Sequence, residues 1–427
     1  MAGGYHLFSS GEVLTAANAN NYLMNQTVMV FASAAARTSA LAGVLAEGMT
    51  SYRTDSHVFE VYNGTTWVAS ETNLTTKGDI AVYDTAPNRL AVGTDGQILM
   101  ANSGSTPGLA WVGYSPAGKN AIINGGMDIW QRGTSFTGAS PYYCADRWTG
   151  SRGGATAGGT WSRQVTADTT NLPNIQYCIR ISRAVGNTSV AVMETNQSLE
   201  TANSIPFAGK TVTMSYYARK GATYSGGGLT ASIITGTGTD ENELFGYTGS
   251  AISVSTSATL TTTWQRFTIS GTIAVTATEM AVDFVWTPTG TAGATDYVDI
   301  TGVQLELGST ATTFSRAGGS IGGELQLCRR YLPATYVNEI MGYSYATNNT
   351  VYGIAFDTPA RVAPTGVTAS GTFTAYSLNV GTSATPVLNQ TSVNNGSVLV
   401  NSGITIIAGQ GSRLGGGGLI LWTGCEL

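Results

Sequence analysis

Residues 280–286 set Met280, Val282, Phe284 and Trp286 at every second position. A period of two puts these large apolar groups on one face of an extended strand, and no helix gathers them that way. The same alternation gives 211–219 one face of Val212, Met214, Tyr216 and Ala218, with Thr211, Thr213, Ser215, Tyr217 and Arg219 opposite. In 264–269, Phe267 and Ile269 face one way while Trp264, Arg266 and Thr268 face the other. Such segments recur across 120–320 without a helical stretch of convincing length. They predict half-buried antiparallel sheets, and a jelly-roll-like sandwich is the architecture that closes them. The fold class expected is mainly β.

Composition narrows the partners. Charged residues make up only 11% of the 427, against about 25% in soluble globular chains. The 55 glycines suit many short strands and tight turns, and the 20 Tyr, 11 Phe and 8 Trp suffice for real cores. Net charge is −5, and the basic residues are scattered singly, so nucleic acid is not an expected partner. Apolar runs such as 418–422 fall far short of the roughly 20 residues that span a bilayer, and membrane insertion is not expected. The N-terminus lacks a basic region followed by an apolar stretch, which fits assembly in a cytoplasm and release by lysis. The only histidines are His6 and His57, and Cys144, Cys178, Cys328 and Cys425 form no Cys-x-x-Cys pair. No metal site or cofactor is expected, and the cysteines read as small buried hydrophobes kept reduced.

Along the chain, residues 1–70 read as a small α/β adaptor. Thr15 is placed to cap a helix over 16–26 and Ser33 one over 34–41. Residues 49–54 and 58–62 then read as a strand pair, and Asn63-Gly64 as a hairpin turn in which both positions take φ > 0. Residues 71–119 form a connector whose short strands (74–80, 89–98, 109–111) are too sparse for a core; Asp95-Gly96-Gln97 there reads as a turn. Residues 120–320 hold the sandwich. Residues 321–427 read as a further β-domain, or as strands completing the sandwich. Within them 324–331 and 352–356 are expected strands and 361–364 a kinked edge. Segments 398–400 and 404–407 follow, and Gly415–Gly418 bends the chain before a terminal strand over 419–422.

Four blocks carry more specific information: Asn124-Gly-Gly-Met-Asp-Ile-Trp-Gln-Arg-Gly133, Ala145-Asp-Arg-Trp148, Val303-Gln-Leu-Glu-Leu-Gly-Ser-Thr-Ala-Thr-Thr-Phe314 and Glu324-Leu-Gln-Leu-Cys-Arg-Arg-Tyr331. In this order they resemble a carbohydrate-binding-module-like β-sandwich of bacteriophage tail-fibre and related virion proteins. The 1–70 block similarly resembles the start of many phage tail and fibre proteins, and 71–119 resembles fibre-shaft segments that intertwine as trimers. The resemblance implies a non-enzymatic tail-fibre protein in the virion and a homotrimer. Residues 1–70 would dock to other phage virion proteins, and the distal domains would contact a host-surface glycan. Two other functions stay open: a purely structural virion component, such as a head or collar fibre or a capsid decoration, and a glycan-degrading tailspike.

Chemistry is sparse at this level. No histidine lies beyond 57, so a nucleophilic triad finds no base in the β-domains. Glu194, Glu200, Asp283, Asp296, Asp299 and Glu306 could serve a glycosidase, yet no motif pairs them, and Glu306 belongs to the fold signature. The residues singled out for glycan contact are Tyr217 beside Arg219 and Trp264 beside Arg266, aromatic rings next to hydrogen-bonding groups on the faces opposite the core stripes. Burial under loops or in a subunit interface is the competing role for them. Trp130, Arg132, Arg147 and Trp148 are expected to be structural, through arginine–aromatic stacking.

Overall fold

The computed structural model describes residues 9–22, 27–69, 74–85, 87–93, 97–113, 118–138, 142–153, 158–172, 174–377, 380–401 and 408–427. The chain divides into two compact units, Met1–Tyr114 and Ser115–Leu427.

In the first unit the helix Ala16–Tyr22 follows Thr15, whose hydroxyl accepts from the Asn18 N–H at 3.1 Å. The helix Ala34–Ala40 is capped by Ser33, which accepts from Ala36 N–H. A four-stranded sheet runs in the order Val28–Phe31, Thr50–Arg53, Val58–Tyr62, Trp67–Ala69. The first two strands are parallel, with the Ala34–Ala40 helix in their connection. Arg37 is buried, ion-paired with Glu60, and lies 4.1 Å from the Trp67 ring centroid. The Asn63-Gly64 turn differs from expectation. Only Gly64 has positive φ, at 90°, while the Asn63 side chain accepts from the N–H groups of Thr65 and Thr66. An Asx cap thus does the work assigned to a second left-handed residue. Two separate hairpins follow, Ile80–Tyr83 with Pro87–Leu90 and Gln97–Ala101 with Leu109–Gly113. The Asp95-Gly96 turn lies outside the described residues.

The second unit begins with two six-stranded antiparallel sheets. The first has the order Tyr142–Tyr143, Thr149–Arg152, Met193–Leu199, Glu279–Trp286, Leu229–Gly236, Ala251–Ala258; the second, Gln265–Thr272, Thr211–Lys220, Tyr297–Leu307, Tyr177–Arg183, Gly159–Val165, Ser135–Thr137. Both alternations hold: Met280, Val282, Phe284, Trp286, Val212, Met214, Tyr216 and Ala218 all lie in one buried cluster with Trp148, Trp161 and Ile300. Tyr216 meets Phe284 edge-on at 4.9 Å. The mainly β fold is therefore a sandwich of two antiparallel layers, as the period of two requires.

The remaining strands form an eight-stranded sheet with its own core of Val337, Tyr352, Ile354, Val398, Leu414, Ile420 and Trp422. Three expectations here are corrected. Residues 324–331 are not a strand: Ile321–Arg329 is a helix, N-capped by Ser320, whose hydroxyl accepts from Gly323 N–H. Glu324 and Cys328, one turn apart, face inward, so the deciding spacing is four rather than two. Gly415–Gly418 is no bend before a strand but the middle of one, Gly411–Thr423. Residues 361–364 form no strand edge; Arg361 instead donates to the carbonyls of Cys425 and Glu426, both at 2.8 Å. Residues 404–407 lie outside the described residues. All four cysteines are buried and unpaired. Among the described residues no helix is long and apolar enough to cross a membrane.

Candidate functional site

The four residues singled out from the sequence lie together on the outer face of the second six-stranded sheet. Tyr217 stands opposite Arg266 in the strand register, and Arg219 lies 4.7 Å from the Trp264 ring centroid. That face is not open, however. Trp264 is only 5% exposed, packed with Leu172, Ile175 and Cys178, and Tyr217 is half-buried against them. Arg219 is tied to Asp299 at 2.9 Å, while Arg266 donates to the Ser215 hydroxyl at 3.0 Å and to the Thr312 carbonyl. This burial has a physical cause. The 308–315 segment folds back over this sheet face, and even Thr213 and Ser215 are buried. Glu306, also on this face, is saturated: it accepts from Thr312 N–H, Thr312 Oγ1 and Gln304 Nε2 at 2.8 Å each and pairs with Lys119 at 2.9 Å.

The signature blocks meet in one buried polar hub. The Asn124 side chain donates to the carbonyls of Ile129 and Asp146 and accepts from Ile129 N–H. Trp148 Nε1 donates to the Asn124 carbonyl at 3.1 Å, and Gln131 donates twice to Asp146. Arg147 stacks 3.6 Å from the Tyr331 ring centroid and pairs with Glu426 at 2.9 Å; Arg132 takes the other Glu426 oxygen. Burial pushes the Asp146 carboxyl up to about 6 despite nearby Arg132. These contacts bind distant segments to each other.

The outer face of the first sheet carries different chemistry. Asp283, on the central strand, stands directly between Asn196 and Ser232 in the register. Glu194 projects from the same face two residues before Asn196. Glu243 arrives from a single 3-10 turn, Glu243–Phe245, whose cap Asn242 accepts from Leu244 N–H at 3.0 Å. That turn is pinned by Glu243 N–H donating to Ser198 Oγ at 2.9 Å and by Asn242 Nδ2 donating to the Leu427 carbonyl at 2.7 Å. Asn196 Nδ2 bridges two of the acids, donating to Glu194 at 3.1 Å and Glu243 at 2.7 Å. One oxygen from each of Glu194, Glu243 and Asp283 lies within 4.8 Å of the others.

Burial, then the charge on Glu194, pushes the Glu243 carboxyl up to about 7. Burial and both neighbouring glutamates hold Asp283 well above the usual carboxylate range, and burial raises Glu194. Toward solvent, Val285 and Thr230 are half-buried, Ser255 and Ser257 are exposed, and Phe245 is 76% exposed. Glu194 and Asp283 were among the carboxylates available in the sequence; Glu243 was not singled out. Their convergence depends on strand register and on a loop crossing the sheet, and neither is visible in one dimension.

No family model and no curated protein matches the chain. Solved structures with partial likeness include the enzymatically active domain of bacteriophage CBA120 tailspike protein 4, at 13% identity and a TM-score of 0.29, over 44% of this chain and 21% of that one. The C-terminal family 22 carbohydrate-binding module of Clostridium thermocellum Xyn10B is similar at 14% identity and a TM-score of 0.28, over 46% of this chain and 100% of the module. The K1 adhesin domain of Lys-gingipain from Porphyromonas gingivalis is similar at 14% identity and a TM-score of 0.26, over 42% of this chain and 100% of that domain. The match thus spans about a fifth of the tailspike domain's length.

Proposed function

We propose that this chain is a non-enzymatic bacteriophage fibre protein of the virion whose β-sandwich contacts a host-surface glycan on the outer face of the first six-stranded sheet. In this reading residues 1–70 dock to other virion proteins and the chain works as a homotrimer. The observation that carries the glycan reading is the face itself. Among the described residues the three carboxylates form no ion pair with a basic side chain, Thr230, Ser255 and Ser257 lie on the same sheet face by register, and a ring 76% exposed at Phe245 sits on the turn that brings Glu243. Carboxylate oxygens accept paired sugar hydroxyls, and an open aromatic ring covers the apolar face of a sugar. The virion context is supported by the resemblance of the four signature blocks.

The non-enzymatic reading is supported by the crowding of Glu194 and Asp283, which bring one carboxylate oxygen each within 4.8 Å of the other. Glycosidase carboxyls stand about 5–5.5 Å apart, or 6.5–9.5 Å apart when they invert, to admit the sugar and water.

The test is adsorption of the full chain to host cells and to their purified envelope glycan. Phe245→Ala is expected to weaken binding roughly two- to tenfold, the equivalent of about 0.5–1.5 kcal/mol, with unchanged melting. Thr230→Trp, which fills the face, is expected to abolish it. Binding indifferent to both substitutions would overturn this site. No binding at all by the wild-type chain would favour the purely structural virion role. Release of reducing ends from the glycan would overturn the non-enzymatic reading.

A further inference from the structure

We propose that Glu194, Glu243 and Asp283 bind a single hard divalent cation, calcium, on the outer face of the first six-stranded sheet. This goes beyond glycan contact and stands on its own observations. The first is geometric: one oxygen of each side chain lies within 4.8 Å of the others. Two oxygens each about 2.4 Å from one ion can be at most about 4.8 Å apart, so the spacing admits a shared calcium, while magnesium, which dehydrates reluctantly, seldom takes this many protein carboxylates. The donors are all oxygen, the choice of a hard cation over zinc or copper.

The second observation is independent of that spacing. Asp283 is only 5% exposed, and its Oδ1 is buried without a hydrogen-bond partner. An unserved buried acceptor is costly, and more so when charged. Phe284 N–H serves the Asp283 carboxylate, but the side-chain donors nearby go elsewhere: Asn196 Nδ2 serves Glu194 and Glu243, Ser151 Oγ reaches Glu194 at 3.4 Å, and Ser232 Oγ is engaged with Ser255 Oγ at 2.8 Å. Among the described residues no lysine or arginine forms an ion pair with any of the three. Buried like charges with an orphaned oxygen and no basic neighbour need either protons or a cation, and at neutral pH a dication neutralises two of the three charges at once.

The site is also built to keep its shape. Glu194 and Asp283 sit on adjacent paired strands, in a register fixed by the seven partners from Met193 to Leu199. Glu243 is held by the hydrogen bond from its own N–H to Ser198, so its carboxylate is aimed before any ion arrives. Half-buried Glu194 and Glu243 leave an entry from solvent. Waters and the ligand's own hydroxyls would complete the six to eight oxygens that calcium takes.

The experiment uses the full chain, stripped with EDTA and dialysed, then titrated with calcium chloride and separately with magnesium chloride at pH 7.5. Isothermal calorimetry and thermal melting are the readouts. The expected result is calcium binding at least tenfold tighter than magnesium, with a calcium-dependent rise in melting temperature. Glu243→Gln and Asp283→Asn should each weaken calcium at least tenfold and remove most of that rise. Asp283→Asn keeps the buried shape; should it fail to fold, Glu243→Gln, on a half-buried turn, still decides. Calcium binding untouched by the substitutions overturns the assignment. So does no calcium binding at all, with melting that responds only to acid, the signature of a shared proton. Host-cell binding in EDTA by a chain that takes up no calcium sinks the cation site and leaves the glycan reading intact.

Discussion

The Asn124 main-chain N–H donates to the Glu324 carboxylate across two hundred residues of sequence, in a fully buried setting. The second oxygen of Glu324 accepts from Gly318 N–H at 2.8 Å. Asn124 itself takes φ 56°, a left-handed conformation that asparagine tolerates better than most residues. One side chain therefore ties the opening of the sandwich to the helix that leads into the eight-stranded sheet. The two signature blocks that carry these residues are, physically, the two halves of one clamp.

Asn124→Ala should therefore be among the most destabilising single substitutions in the chain. It removes three buried hydrogen bonds, leaves the Ile129 and Asp146 carbonyls short of a donor, and puts Ala at φ 56°. A loss of about 3 kcal/mol is expected in urea unfolding, since each unserved buried group costs about 1–3 kcal/mol. Asn124→Gly relieves the backbone alone and should recover about 1 kcal/mol of it. Equal stability of Ala, Gly and wild type would refute the weight given to these side-chain bonds.

Gly125 poses a sharper steric problem. A Cβ there would lie 2.0 Å from the Val303 carbonyl oxygen, which is backbone and cannot swing aside. The two segments are already joined at this point by Val303 N–H donating to the Gly125 carbonyl at 2.9 Å. Gly125→Ala is expected to cost about 3 kcal/mol, at the upper end of overpacking changes, or to leave the chain insoluble. A mutant melting within a degree of wild type would contradict the close approach.

How far the sequence carried the fold follows from what each pattern encodes. A period of two places Met280, Val282, Phe284 and Trp286 on one face, and they are there, because a strand's geometry is local. The same pattern says nothing about what covers the other face, so Tyr217 and Trp264 read as ligand contacts until Leu172, Ile175 and the 308–315 segment are seen against them. Residues 324–331 imitate a strand because a nine-residue helix is too short to outvote the alternating leucines Leu325 and Leu327. The acidic site was illegible for a different reason. Glu194 and Asp283 become neighbours only through a strand register that joins segments nearly ninety residues apart.

Stability should fall as pH rises from about 5 to 8. Asp146, pushed up to about 6 by burial, and Glu324, also raised by burial, bind protons in the folded chain that the unfolded chain has already released. Their contribution is complete below the ordinary carboxylate range and is lost as pH climbs through the raised values. Glu200 and Glu306, held low by their hydrogen bonds to Arg330 and to Thr312 and Lys119, work in the opposite sense, but only below about pH 4.5. Melting in EDTA should thus give a higher temperature at pH 5.5 than at pH 8, and Asp146→Asn should flatten the slope. A melting temperature that climbs steadily to pH 8 would reverse the sign.

Trp264→Ala separates packing from recognition. The ring is 5% exposed among Leu172, Ile175 and Cys178, with the Arg219 guanidinium 4.7 Å from its centroid. Truncation should cost about 3–5 kcal/mol, the usual range for a buried aromatic. Any loss of glycan binding should then track the loss of folded chain. Normal stability with selectively lost binding would restore Trp264 as a contact residue.

The connector argues for assembly. Of residues 74–85, 88–93 and 97–111 none is buried, and Leu74, Tyr83, Val92, Ile98, Leu99 and Met100 are between 38% and 69% exposed. Its strands pair only as two separate hairpins. A lone two-stranded hairpin is marginal in water, so apolar side chains arranged this way call for other chains to cover them. Three copies associating through the connector would cover apolar side chains that a single chain leaves open. Sedimentation equilibrium of the full chain at micromolar concentration should therefore return about three times the 44.2 kDa chain mass. Leu99→Lys with Met100→Lys should shift the mass toward one chain while the far-ultraviolet spectrum of the sandwich persists, because neither residue belongs to its cores. A wild-type chain that sediments as a stable monomer refutes the trimer, and a double variant that stays trimeric moves the interface out of the connector.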